Sequence, residues 1–137
     1  MTRRQVLRYG LVVLGVLHLW WGLWATVAPR HFFDTFPGFG QRWTAAYPPY
    51  NAHLVSDVGA TFITLAVLLL IAALVRDRRV TAVVLIGVIV FSSLHLVFHA
   101  AHAGALRGGA LAASLISLAL GVVVPAGLLV LTKVRRF

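Results

Sequence analysis

Long apolar runs separated by three polar segments dominate the pattern of hydrophobic and polar positions along this chain. Four of the runs reach the roughly 20 residues that a helix needs to cross a bilayer core about 30 Å thick. They lie at about 7–28, 53–75, 80–102 and 109–132. The breaks between them are 29–51, rich in Pro, the charged turn 76–79, and the Gly-containing segment 103–109. The pattern predicts an all-α bundle of four transmembrane helices that forms a single domain over residues 1–137.

The composition also indicates a membrane protein, because 61% of the 137 residues are hydrophobic and only 11% are charged. The mean hydropathy is +0.94. A chain with so few polar side chains cannot cover a water-soluble globule, so we expect the lipid bilayer to be its main surroundings. The formal net charge of +9 would suit nucleic acid. The basic residues flank the predicted helices, however, so no nucleic-acid partner is expected.

The basic residues divide unequally between the two sides of the predicted bundle. One side carries Arg3, Arg4, Arg8, Arg76, Arg78, Arg79, Lys133, Arg135 and Arg136. The other side carries only Arg30, Arg42 and Arg107. The positive-inside rule assigns the more basic side to the cytoplasm. We therefore expect a multi-pass protein of the bacterial inner membrane with both termini in the cytoplasm and the segment 29–51 outside.

Three histidines interrupt the outer end of the third predicted helix, at His95, His99 and His102. At about 100° per residue they share one face of the helix, and Ser92 continues that face toward the membrane centre. Histidine is uncommon in a lipid-facing position, so this run is the first candidate for a functional site.

The second predicted helix brings His53 and Asp57 to the same layer from the opposite direction. These two residues are one helical turn apart and share a face. An ionisable residue inside a span is costly and usually faces a partner within the bundle. We therefore expect Asp57 to pair with a histidine of the third helix.

Imidazole and carboxylate groups are ligands for zinc, copper and non-haem iron. The sequence predicts a transition-metal site with two ligands from each helix. The expected ligands are His53, Asp57, His95 and His99. His95 and His102 are seven residues apart and so are separated by about 10.5 Å along the helix axis. All three histidines of the third helix are therefore not expected to bind one metal ion. The residues expected beside the ligands are Asn51, Ser92 and His102.

Two other interpretations of the polar cluster stay open. Its side chains can form a structural or proton-exchanging network that joins the two helices without a metal. Alternatively, the histidines can ligate haem, for which His18 of the first predicted helix is a further candidate; His18 could equally join a polar network. The chain has no cysteine, which excludes disulfide exchange, iron–sulfur clusters and haem attached through CxxCH.

Aromatic residues crowd the predicted outer loop 29–51. One interpretation is an aromatic belt at the membrane surface. The other is a lid that holds a hydrophobic ligand, such as a quinone or a lipid, against the polar layer. The residues that would form this lid are Phe32, Phe33, Phe36, Trp43, Tyr47 and Tyr50.

The segments GLVVLGVLHLWWGLWATVAPRHFFDTFPG and PPYNAHLVSDVGATFITLAVLLL resemble the first two helices of DoxX-like small four-helix membrane proteins. The resemblance implies a four-span fold and a membrane location. It also implies redox chemistry, because DoxX-like proteins are linked to thiosulfate–quinone oxidoreduction and to redox-stress complexes. No motif of that family assigns a role to an individual residue of this chain.

These observations predict a small membrane protein whose outward-facing His/Asp cluster binds a transition metal and serves redox chemistry beside a lipid-soluble partner. One alternative is a non-enzymatic accessory subunit of a larger membrane complex, in which the cluster only joins helices. Another is a small proton or ion transporter, for which four spans would have to assemble into a homo-oligomer.

Overall fold

A computed structural model describes residues 1–132, and this part of the chain contains helices and no strands. Its helices are α1 (Arg3–Val27), α2 (Pro29–Thr35), α3 (Ala52–Val75), α4 (Arg78–Ala101) and α5 (Gly108–Thr132). Single 3-10 turns lie at Thr44–Ala46 and Ala103–Ala105. The four longer helices are long and apolar enough to cross a membrane. This confirms the prediction of four helices of transmembrane length. Three basic residues used to predict the topology, Lys133, Arg135 and Arg136, lie outside the described residues.

Side-chain caps define the starts of α1 and α4. The Thr2 hydroxyl accepts the N–H of Gln5 while the Gln5 side chain accepts the N–H of Thr2, which forms a capping box. At α4, the Asp77 carboxylate accepts the backbone N–H groups of Arg79 and Val80. Both caps lie in polar sequence, so each helix begins before its apolar run does.

Glycines allow α1 and α3 to meet backbone to backbone. A Cβ at Gly22 would lie 2.8 Å from the backbone N of Ile63 and 2.9 Å from the carbonyl O of Gly59. The Thr26 hydroxyl donates to the Gly22 carbonyl, so it leaves no unpaired polar group at this crossing. Apolar helices gain little from association in lipid except close packing, which small residues permit. The crossing therefore sets the rotation of α3 about its own axis.

The second helix pair is α4 with α5, where Ser92 is buried and a Cβ at Gly121 would lie 3.6 Å from its hydroxyl oxygen. The two pairs share one core, made of Leu11, Leu69, Ala72, Ala73, Leu85, Val88 and Leu128. The Arg3 guanidinium donates to the Val130 carbonyl at 3.0 Å. The start of α1 and the end of α5 therefore lie at one end of the bundle.

That end, with Arg3 and the turn 76–79, is called the basic end below. The opposite end carries α2 and the rest of the segment 28–51, and is called the aromatic end. The candidate site lies at the aromatic end.

Candidate functional site

Six rings from α1, α3, α4 and the connecting segment form a continuous column at the aromatic end. This ring column consists of His18, Phe62, Phe91, His95, His99 and Tyr47. Successive ring centroids are 4.7 to 5.7 Å apart. Distances of this size are typical of favourable aromatic pairs. The column therefore links the buried interior of the bundle to its aromatic end.

The spacing of residues along α4 produces the central part of the column. Phe91, His95 and His99 follow one another at intervals of one turn, so they share a face of the helix. The Phe91 and His95 rings are stacked at 5.7 Å, and the two imidazoles meet edge to face at 4.7 Å. Both histidines were predicted on this face from their spacing. Phe62 and Phe91 were not predicted as part of the site, although the i, i+4 spacing of Phe91 and His95 is visible in the sequence.

His99 is hydrogen-bonded to the segment that covers the bundle. Its Nδ1 lies 3.0 Å from the hydroxyl of Tyr47. Tyr47 follows the turn Thr44–Ala46, and the Thr44 hydroxyl fixes that turn to α2 by donating to the Phe33 carbonyl at 2.6 Å. Burial raises the pKa of the Tyr47 hydroxyl, so this group keeps its proton at neutral pH and can donate it to the imidazole.

His95 has no such partner. Neither of its ring nitrogens makes a hydrogen bond to any residue in the range 1–132, and neither is completely enclosed by protein. The ring itself is partly buried against Phe91 and His99. A polar group that loses contact with water without a new hydrogen bond destabilises a protein. His95 is therefore able to bind a group that comes from outside this part of the chain.

His53 and Asp57 do not join this site. Their Nε2 and Oδ2 atoms are 3.4 Å apart, and their side chains are 82% and 59% exposed. Asp57 thus pairs with a residue of its own helix, and the expected pairing with a histidine of the third span is not formed. The reason is the rotation of α3: Gly59 faces α1, and a residue two positions earlier points about 200° away from it.

The four expected metal ligands consequently form two separate pairs. Among residues 1–132, no group of three or more His, Cys, Asp or Glu side chains is placed to hold a metal ion. The side chains of one protein chain therefore do not fit the predicted four-ligand site. The His95–His99 pair could supply two nitrogen ligands, since the residues are one turn apart on one face.

The residues expected beside the ligands have other local roles. Asn51 caps α3 by accepting the N–H of Leu54, and Ser92 lies between α4 and α5. His102 is exposed, stacks on Phe98 at 4.3 Å and donates from Nδ1 to the Phe98 carbonyl. Asn51 and His102 therefore lie at helix ends, as the predicted spans 53–75 and 80–102 indicated, and Ser92 lies on a packed face.

His18 is buried in the middle of α1. Its Nδ1 donates to the Leu14 carbonyl at 2.8 Å, and its ring contacts Trp21 and Phe62. The imidazole is therefore hydrogen-bonded within its own helix and packed between aromatic rings, and its membership of a polar network stays a prediction. Its neighbours are aromatic rings, and haem ligation stays a prediction.

The residues predicted to form a lid lie together at the aromatic end. Phe32 is buried against Trp24 at 5.4 Å and Phe36 at 4.7 Å. Two further ring pairs are Phe36 with Trp43, at 6.3 Å, and Phe33 with Tyr50, at 5.3 Å. Among the six predicted lid residues, the structure places Tyr47 in contact with the histidines. Phe32 and Phe36 attach the segment to α1 through Trp24, whereas the rings of Phe33, Trp43 and Tyr50 contact other rings of the segment.

A separate open concavity of about 510 Å³ lies at the edge of the aromatic end. Trp24, His31, Thr35 and Arg42 contribute to its wall. The Trp24 indole N–H donates to Nδ1 of His31 at 2.9 Å. The ring column does not line this concavity, so the two features are distinct.

Comparisons with protein families, with curated proteins and with solved structures find no match to this chain. The resemblance to DoxX-like proteins therefore stays a prediction.

Proposed function

We propose that this protein binds a lipid-soluble ligand with a hydrogen-bonding head group, of the quinone class, at the aromatic end of its bundle. His95 and His99 would bind the polar head group, and the neighbouring rings would contact its apolar surface. The observation that carries the proposal is the partly buried His95 imidazole, which has no hydrogen bond to residues 1–132.

The surroundings of His95 suit a flat ligand with polar edges. Phe91 provides an aromatic face on one side of the imidazole, and Phe62 extends this apolar surface to α3. Small-molecule sites are mostly apolar, with a few polar groups that orient the ligand. A neutral imidazole has one donor and one acceptor nitrogen, so it can bind either a quinone carbonyl or a quinol hydroxyl.

The contact between His99 and Tyr47 supports a role in proton exchange. The two imidazoles are adjacent, and the Tyr47 hydroxyl reaches His99 from the covering segment. Imidazole accepts and releases protons near neutral pH more readily than other side chains. A proton that a ligand hydroxyl transfers to His95 would therefore pass through His99 toward the aromatic end, with no change in the oxidation state of the ligand.

The proposal includes a location in the bacterial inner membrane, with the basic end in the cytoplasm. Arg3, Arg76, Arg78 and Arg79 lie at the basic end. The positive-inside rule favours that orientation. The imidazole pair would then open toward the outer side of the membrane, and both termini would be cytoplasmic.

The test uses the full chain in liposomes, titrated with decylubiquinone while tryptophan fluorescence is recorded. We expect His95→Phe to weaken binding about two- to ten-fold, because one hydrogen bond to the ligand, of about 0.5–1.5 kcal/mol, is lost. The matched control is His102→Phe, which changes an exposed histidine of the same helix and should leave the affinity unchanged. Equal affinity of the His95→Phe variant and the original protein would contradict the proposal.

The same His95→Phe variant separates ligand binding from a purely structural role. No hydrogen bond within residues 1–132 is lost when His95 is replaced, so the free energy of unfolding should be unchanged or higher. A structural polar cluster of an accessory subunit predicts the opposite, a destabilised variant. Unfolding in mixed detergent micelles measures this difference.

A second candidate function is transition-metal binding at the His95–His99 pair, which is favoured by the edge-to-face contact of the two rings at 4.7 Å. Water, a ligand or another protein would have to complete the coordination. Elemental mass spectrometry of protein purified without a histidine tag tests this candidate. Stoichiometric zinc, copper or iron that disappears in His99→Phe would support it, and a metal-free protein would exclude it for the purified state.

A further inference from the structure

The open concavity of about 510 Å³ at the edge of the aromatic end has a wall of mixed character. Trp24 and Phe39 contribute aromatic rings to it, whereas His31, Asp34 and Arg42 contribute polar and charged groups. The ring column and the proposed quinone site use none of these residues. The concavity is therefore a separate candidate site, and its chemistry follows from the groups of the wall that have no partner within residues 1–132.

One positive charge of the wall is not neutralised. Arg30 pairs with Asp34 through atoms Nε and Oδ2, which are 2.7 Å apart, so these two charges offset each other. Nε of Arg42 donates to the Asp34 backbone carbonyl at 3.1 Å, and this bond holds the guanidinium beside the concavity. The two terminal nitrogens of Arg42 make no hydrogen bond within residues 1–132. A planar guanidinium with unpaired donors is suited to bind a phosphate or a carboxylate.

His31 offers a second donor to the same concavity. The Trp24 indole N–H donates to its Nδ1 at 2.9 Å, so the neutral imidazole carries its proton on Nε2. This Nε2–H group has no acceptor within residues 1–132. The wall therefore supplies unpaired donors from α2 and from the loop that follows it, whereas the carboxylate of Asp34 is already paired with Arg30. Such a set of groups favours an anionic ligand.

The tip of this loop carries a phenyl ring that no part of the described chain covers. Phe39 is 100% exposed. It lies between Gly38 and Gly40, and the φ angles of the three residues are 96°, 56° and 75°. A left-handed φ is uncommon for a bulky residue and costs free energy, so a fully exposed phenylalanine in this conformation indicates a function for the ring. The ring is stabilised only when an apolar surface from outside the described chain covers it.

The depth of the concavity in the bundle places it beside such an apolar surface. Trp24 lies in the last turn of α1, a helix that is long and apolar enough to cross a membrane. The wall therefore lies where the apolar run gives way to polar sequence, and tryptophan is enriched at this level, among the lipid head groups. A phospholipid brings a phosphate and an apolar body to this level together, whereas a free phosphate ion would leave Phe39 uncovered.

We infer that the concavity binds the head group of an anionic membrane phospholipid. The Arg42 guanidinium and the Nε2–H group of His31 donate to the phosphate oxygens. Trp24 and Phe39 contact the glycerol and the first carbons of the acyl chains. The Arg30–Asp34 pair leaves no free carboxylate for the ammonium group of a zwitterionic lipid, so the wall favours an anionic head group such as phosphatidylglycerol. This site is independent of the imidazole pair on α4, and either site can fail while the other persists.

Titration of the full chain with dioctanoylphosphatidylglycerol in detergent micelles tests the phosphate contact, and native mass spectrometry measures the bound lipid. Arg42→Gln should weaken binding about ten-fold, because it removes the charge that binds the phosphate. The matched control is Arg107→Gln, which removes an exposed positive charge from the α4–α5 connection at the same end of the bundle and should leave the affinity unchanged. Equal affinities of the two variants would overturn the inference.

A second variant separates a phospholipid from a soluble phosphate. Phe39→Ala should weaken binding of the same lipid about three-fold or more, because the ring no longer contacts its apolar part. It should not change the weaker binding of glycerol phosphate. Alanine keeps a Cβ on the left-handed backbone, and the exposed ring packs against no other residue, so the fold should be retained. Glycerol phosphate that binds as tightly as the lipid, or unchanged lipid affinity in Phe39→Ala, would refute the assignment to a lipid.

Discussion

Replacing Gly59 by alanine should force α1 and α3 apart. A Cβ at this position would lie 2.5 Å from Oγ1 of Thr26, 3.0 Å from the Thr26 backbone N and 3.0 Å from the Gly22 carbonyl O. Favourable contacts between heavy atoms of this kind are about 3.5–4.0 Å long. Two of the three atoms belong to the backbone of α1 and cannot rotate away. The added methyl group therefore displaces one helix relative to the other.

The expected cost follows from the size of that displacement. A gap of about 0.5–1 Å forfeits roughly a quarter to a half of the dispersion energy of each contact across it. Overpacking of this kind typically costs about 1–3 kcal/mol. Alanine has a higher helix propensity than glycine, and this offsets at most about 1 kcal/mol of the destabilisation. We expect a net decrease of about 1–2 kcal/mol in the free energy of unfolding.

Gly87→Ala is the matched control, because this α4 glycine has no heavy atom within 4 Å of a Cβ built on it. Only helix propensity acts there, so the control should be unchanged or up to about 1 kcal/mol more stable. Both variants are unfolded in mixed micelles of dodecyl maltoside and dodecyl sulfate, with circular dichroism as the measure of helix content. If Gly59→Ala were as stable as Gly87→Ala, the close approach of α1 and α3 would be wrong.

Two further predictions concern the segments that join the helices. Tyr47→Phe removes the hydrogen bond to His99 and should lower the free energy of unfolding by about 0.5–1.5 kcal/mol; Tyr50→Phe, whose hydroxyl makes no hydrogen bond within residues 1–132, should change it little in the same assay. At the start of α4, two backbone N–H groups lower the pKa of the Asp77 carboxyl. Because this pKa is lower in the folded protein, the stabilisation is complete above the unfolded-state value of about 3.9 and is lost as the pH falls through the folded-state value. Unfolding midpoints measured at successively lower pH should show this loss in the original protein and less of it in Asp77→Asn; identical profiles would contradict the assignment.

The transmembrane helices could be predicted from the sequence because the length of each apolar run sets the length of its helix. The predicted span 53–75 differs from Ala52–Val75 by a single residue. The span 7–28 begins later than Arg3–Val27, since the capping box at Thr2 extends α1 into polar sequence. The short helix α2 was not predicted; Pro29 occupies one of its first positions, where proline favours a helix start.

Only part of the candidate site could be predicted from the sequence. Helical periodicity placed His95 and His99 on one face, and the covering segment was expected above them; in the structure Tyr47 reaches His99. The same periodicity placed His53 and Asp57 on a common face of α3 but could not say toward which helix that face turns. The ring column was not predicted, because its contacts join residues of α1, α3 and α4 and do not follow from spacing within one helix.

The sequence by itself determined which segments are helical, how long they are and which residues share a helix face, since these properties depend on local spacing and on the apolar length of each run. Only the tertiary structure decided which way each face points. That choice rests on the contact between Gly22 and Gly59, where two backbones meet across residues far apart in the chain. The contact turns Asp57 away from the α4 histidines, so one predicted cluster becomes two separate surfaces. The physical reason is that side-chain spacing fixes angles within a helix, whereas steric fit between helices fixes the rotation of each helix in the bundle.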